Sequence, residues 1–145
     1  MIESREQTKR YRIIEHPSDL GIEALGSSLA EAFEAAAQGF ISIIIDPATI
    51  ESTEVKKITL QASDEAQLLV RWLSEILYLY DGQGFVCREF SITQMSQMSL
   101  EATVAGERFS PSKHRTRLDV KATTYHQLLV QQNDHGALVR VYVDI

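Results

Sequence analysis

The chain carries a single cysteine, Cys87, so no disulfide can close within it. That suits a reducing compartment, and a cytoplasmic location is the expectation. Cys87 itself reads as a small packed residue rather than a nucleophile. No run of apolar residues approaches the length that spans a bilayer. The first ten residues, Met1 to Arg10, are polar and lack the apolar centre of a secretory signal. Basic residues are in the minority: Lys and Arg number 14 against 20 Asp and Glu, a net charge of −6. Phosphate-backbone binders need clustered Lys and Arg. One local cluster qualifies, Lys113-His114-Arg115-Thr116-Arg117, and it reads as a solvated loop, an RNA contact or a docking patch. The acidic whole makes nucleic-acid binding by the chain alone weak.

Familiar catalytic signatures are missing as well. There is no Gly-rich phosphate loop, no HExxH, no CxxC and no nucleophile elbow. Gly82-Gln83-Gly84 follows a helical pattern, which is the wrong place for a dinucleotide fingerprint. The four histidines, His16, His114, His126 and His135, share no i,i+4 spacing, so a His-rich zinc site would need distant segments.

What is present is a pattern of strands and two strong helices. Residues 1–10 read as a flexible tail and 11–145 as one domain. Tyr11 to Glu15 is strand-like, His16-Pro17-Ser18-Asp19 turns the chain, and alternation resumes through Leu20, Ile22 and Ala24. Ser28 with Glu31 predicts a capping box, followed by the stripe Leu29, Phe33, Ala36, Phe40, Ile41 and Ile44. Asp46-Pro47 stops that helix. Val55 to Leu60 predicts a strand, and Ser63 is the expected cap of a second helix striped by Leu68, Leu69, Trp72, Leu73, Ile76, Leu77 and Tyr80. The remainder is β-patterned, with a turn expected at Ala105-Gly106-Glu107 and a strand through Leu118, Val120 and Ala122, Lys121 lying off its core face. Asn133-Asp134-His135-Gly136 turns the chain into a last strand. Helices early and strands late predict an α+β fold, two-layered, with two main helices on a largely antiparallel sheet.

In the last strand Ala137, Val139, Val141, Val143 and Ile145 alternate with Leu138, Arg140, Tyr142 and Asp144. A strand there brings the Ile145 carboxylate beside Asp144, and two anionic groups held together favour a cation. Asp19, in a turn between strands, is a third hard oxygen donor of the kind that binds Ca²⁺ or Mg²⁺. Spacing alone does not join Asp19 to Asp144.

Four segments together resemble the archease family. They are Glu15-His16-Pro17-Ser18-Asp19-Leu20-Gly21-Ile22, the run from Leu68 to Tyr78, Val120-Lys121-Ala122-Thr123-Thr124-Tyr125-His126, and the closing Val143-Asp144-Ile145. Their order and separation match the family across nearly all of residues 11–145. The resemblance implies an accessory protein, not an enzyme, that activates an RtcB-type tRNA-splicing ligase by promoting its guanylylation, multiple turnover and broader nucleotide use. Contact with tRNA would be indirect. It implies a divalent metal site at Asp19, Asp144 and Ile145, commonly filled by Ca²⁺, with Mg²⁺ and Mn²⁺ as alternatives. It gives Lys121 a functional role, and His126 and His16 fall inside matching motifs. One departure stands out: the family often has His-Thr-Ala-Asp where this chain has His16-Pro17-Ser18-Asp19, which keeps the carboxylate but removes a backbone donor at Pro17. A different class, a chaperone-like specificity factor for a tRNA-modifying enzyme such as a cytosine methyltransferase, remains the alternative, and a stand-alone metal-dependent hydrolase is the third.

Overall fold

Alternation of apolar and polar residues builds two adjacent strands, β1 (Tyr11–Glu15) and β2 (Asp19–Gly26), paired antiparallel. In this computed structural model the described residues are 10–16 and 19–145. Residues 1–9 of the expected tail, and Pro17 and Ser18 of the expected turn, lie outside them.

Helix α1 runs over Leu29–Ile44. Ser28 Oγ accepts from Glu31 N at 3.2 Å, as the capping pattern predicts. The return half of the box is displaced by one residue: Glu31 accepts from Ser27 N and Ser27 Oγ rather than from Ser28. Asp46 then caps a single 3-10 turn, Pro47–Thr49. Strand β3 (Glu54–Gln61) leads to helix α2 (Glu65–Asp81). Its cap is Asp64 rather than the expected Ser63; Asp64 Oδ1 accepts from Gln67 N, while Ser63 donates to the Gln67 side chain. The remaining strands are β4 (Phe85–Met95), β5 (Ser99–Arg108), β6 (Ala122–Asn133) and β7 (Gly136–Asp144).

The α+β class and the antiparallel pairing hold throughout. The strands, however, divide into two sheets, a four-stranded one in the order β1-β2-β7-β6 and a three-stranded one in the order β3-β5-β4. Both helices touch strands of both sheets, which explains why α1 is buried nearly all round. The helices are tied together where Trp72 Nε1 donates to the Phe33 carbonyl at 2.9 Å inside the core. Cys87 is buried there too, and burial pushes its thiol up to about 12, so it is no nucleophile.

Two expectations fail locally. Ala105-Gly106-Glu107 is not a turn but the interior of β5. Gly106 crosses β4 at a register shift between Cys87 and Glu89, where an added Cβ would lie 1.8 Å from the Val86 oxygen. Nothing but glycine fits that approach. The strand expected through residues 118–122 is also absent before Ala122. Arg117 N and Leu118 N donate to the last carbonyls of α1, at Ile44 and Ile43, so this stretch straps the helix end instead of joining a sheet. Val120 is buried, but Leu118 is 45% exposed, and the two do not share a core face.

Candidate functional site

The strand register brings distant carboxylates together. Asp19 opens β2 and is the direct cross-strand partner of Asp144, which closes β7. Such partners have Cα atoms about 4.5–5.5 Å apart. On the other side of β7, Ala122 pairs with Asp144, and Lys121 N donates to the Asp144 carbonyl at 2.9 Å. One end of the four-stranded sheet therefore holds Asp19, Asp144, Ile145 and Lys121, carried by three neighbouring strands.

Asp19 is buried, and its Oδ1 has no hydrogen-bond partner among the described residues. His16 Nδ1 approaches that oxygen to 2.6 Å without the alignment of a hydrogen bond. A buried carboxylate oxygen without donors is costly unless a cation meets it. Asp144 and Ile145 remain exposed to solvent, the latter at 38%. Among the described residues no three His, Cys, Asp or Glu side chains gather in metal-binding geometry. The donors here are two side-chain carboxylates, with the main-chain oxygen of Ile145 beside them. That all-oxygen set, with one orphaned buried oxygen, fits a hard divalent cation.

The two sequence-chosen histidines come to the same end. The His16 and His126 rings lie 6.4 Å apart, and each meets the Tyr142 ring edge-on, at 5.8 and 6.0 Å. His126 reaches this position because β6 bulges between Thr124 and Leu129, with Gln127 at a φ of 51°. Thr124 Oγ1 steadies the bulge: it donates to the Tyr142 carbonyl and accepts from His126 N. Tyr142 lies flat across β2 at Gly21, where a Cβ would come within 2.8 Å of the ring. Sequence reasoning missed Tyr142 and Gly21. The available signal was a lone large aromatic on the polar side of the last strand, but its partner glycine depends on register.

Farther along the same face, Glu23 accepts from Arg12 at 2.8 Å and from Arg140 at 2.8 and 3.1 Å. The Arg12 hydrogen bond, then that of Arg140, holds its carboxyl below the usual carboxylate range.

The basic cluster is elsewhere and largely committed to structure. Lys113 pairs with Glu51 and with Glu107, and Arg117 donates to the Ser42 carbonyl and lies 3.6 Å from Asp46. His114 is buried, with Nδ1 accepting from Ser110 N and Nε2 at 2.9 Å from Glu107. The Glu51 backbone N–H, then His114 and Lys113, holds the Glu107 carboxyl down at about 2.

The profile of the archease protein family matches residues 11–145. The archease of Sulfolobus acidocaldarius is 38% identical over 137 residues, covering 94% of this chain and 99% of that protein. The archease of Methanosarcina acetivorans is 34% identical over 143 residues, covering 96% and 98%. Among solved structures, Methanobacterium thermoautotrophicum protein 1598 superposes with a TM-score of 0.79 at 26% identity, over 95% of this chain and 100% of that one. The crystal structure of a Thermotoga maritima archease, titled a possible chaperone, has a TM-score of 0.65 at 21% identity, over 92% and 96%, and speaks to the fold alone.

Proposed function

This chain belongs to the archease family, and we propose that it is an accessory protein that activates an RtcB-type RNA-splicing ligase through the sheet end built on Asp19 and Asp144. The observation that carries the reading is the direct pairing of Asp19 with Asp144, with the Asp19 Oδ1 buried, 2.6 Å from His16 Nδ1 and without a hydrogen bond among the described residues. Asp19, Asp144 and Ile145 would hold the divalent ion, Ca²⁺ or one of the smaller alternatives Mg²⁺ and Mn²⁺. When bound, that ion supplies positive charge for phosphate oxygens or for an acidic group of the partner.

The chain's own residues do the rest. Lys121, anchored through its backbone to Asp144, sets a cation beside the carboxylates and contacts a phosphate or an acidic group of the ligase. The rings of His16, His126 and Tyr142 wall the carboxylate end on the sheet face that carries Asp19. Activation needs the accessory protein to bind the competent ligase state more tightly than the others, because equal affinity shifts no population. No helix among the described residues is long and apolar enough to cross a membrane.

The test is single- and multiple-turnover ligation, with GTP-dependent guanylylation followed separately. Asp144→Ala and Lys121→Ala should fold as the wild type does and lose most of the stimulation. Full stimulation by both would remove the assignment. The second reading is a specificity factor for a tRNA-modifying methyltransferase. It predicts altered site choice by that enzyme and no effect on the ligase.

A further inference from the structure

We infer that the uncovered face of the four-stranded sheet is a docking surface for an acidic segment of a partner protein, gripped by a strip of arginines and flanked by apolar contacts. Ile22, Ala24, Val139, Val141 and Val143 face the helices and are fully buried. The alternate residues make the opposite face, which buries Asp19 and Tyr142 at its carboxylate end and opens to solvent toward Leu25.

That face is ordered in rows by the register. Asp19 and Asp144 form the acidic end, and Gly21 with Tyr142 comes next. Arg12, Glu23 and Arg140 follow, then Leu25 paired with Leu138 beside Arg10. Four residues along a strand separate Asp144 from Arg140, about 13 Å. Arg10, Arg12 and Arg140 therefore set three guanidiniums along this part of the face, Arg12 and Arg140 sharing the Glu23 carboxylate and Arg10 acting on Glu31, on a chain whose net charge is −6. Arg12 is committed to Glu23 through Nε, and its side chain is 69% exposed. Leu25 is 51% exposed and, with Leu138, Arg10 and Gln131, lines a shallow depression of about 400 Å³.

Charge complementarity calls for an anionic occupant, and the apolar row selects protein over RNA. A phosphate backbone laid along the face would leave Leu25 and Leu138 without an apolar partner. An acidic segment carrying a large apolar side chain satisfies both rows. This rests on the ligase reading for the choice of partner, because the surface is continuous with the carboxylate end.

The experiment measures binding of the full chain to the purified RtcB-type ligase, by calorimetry at two salt concentrations. Arg12→Gln and Leu25→Glu should each weaken binding about tenfold, the size expected of a residue at the centre of an interface. Arg12→Gln should also flatten the salt dependence. Val55→Glu, on an exposed edge of the other sheet, should bind as the wild type does. Thermal melting checks that each variant folds, and Gln131→Glu replaces Leu25→Glu if the latter melts early. Wild-type affinity in the face variants overturns this surface and leaves the ligase reading standing. No ligase binding by the wild type overturns both. Loss in these variants of a comparable affinity for a tRNA-half RNA gives the face to RNA and overturns the protein occupant.

Discussion

Two histidine–carboxylate pairs sit among the described residues, and they are built in opposite ways. At His114 and Glu107 every polar atom is answered: His114 Nδ1 by Ser110 N, Nε2 by Glu107, and the Glu107 oxygens by Glu51 N and Lys113 as well. At His16 and Asp19 the nitrogen stands 2.6 Å from an oxygen that is buried, misaligned and otherwise unpartnered among the described residues. The first network is closed and buries its histidine. The second is open and leaves its histidine side chain 41% exposed. A closed network holds the chain in place, whereas an open one keeps coordination capacity for something else.

The largest expected effect comes from breaking the closed pair. His114→Ala leaves the Ser110 N–H and the Glu107 carboxylate short of partners and empties the ring's place against Phe109. A loss of about 3 kcal/mol is expected, from the unsatisfied groups and the cavity together. Urea unfolding monitored by circular dichroism reads it as a lower midpoint. An unchanged midpoint would abolish the distinction between the two pairs.

The same pair should show itself in acid. The Glu107 carboxyl is held at about 2, against an ordinary value of 4.5, first by the Glu51 backbone N–H, then by His114 and Lys113. A depressed carboxyl contributes stability that is fully present above 4.5 and is lost as the pH falls from there toward 2. Glu107→Gln removes that contribution at neutral pH. The wild type and Glu107→Gln should therefore differ in unfolding midpoint at pH 7 and converge as the pH drops through that window. Because Gln keeps an acceptor for Glu51 N and His114, the gap should be smaller than for His114→Ala. A gap that stays constant across the window would place the effect outside titration of this carboxyl.

The two regions also differ in how far they could be read beforehand. Helix caps were legible to within a residue, because Ser28 with Glu31 and Asp64 with Gln67 act within one turn. The α+β class followed from the periods of the helices and strands. The alternation at Leu118, Val120 and Ala122 misled, since hydrogen bonds to the end of α1 claimed that backbone. Gly106 looked like a turn residue because a glycine's role at a strand crossing depends on a partner, Val86, that sequence does not show. Asp19 and Asp144 were each legible as oxygen donors. Their meeting was not, because it depends on the β2–β7 register across most of the chain, and only the family resemblance joined them. Tyr142 and Gly21 escaped for the same reason. Local chemistry was readable, while long-range pairing was not.

The smallest effect on the fold itself is expected at the open pair. Asp19→Asn keeps the shape of the side chain and removes a buried charge that faces Asp144 and has no hydrogen bond at Oδ1 among the described residues. Without divalent ions the melting temperature should be unchanged or slightly raised, in contrast to the loss at His114. With Ca²⁺ at ten times its dissociation constant, the wild type should gain about 1.4 kcal/mol by mass action. The variant should gain little, since the charge that closes the site is gone. Melting curves with Ca²⁺ and with chelator measure both halves at once. An ion-dependent gain retained in full by Asp19→Asn would mean that the buried oxygen is not a ligand, and the open pair would then be as structural as the closed one. A marked loss of stability without the ion would mean that His16 already satisfies Asp19, and that the 2.6 Å approach is a finished contact.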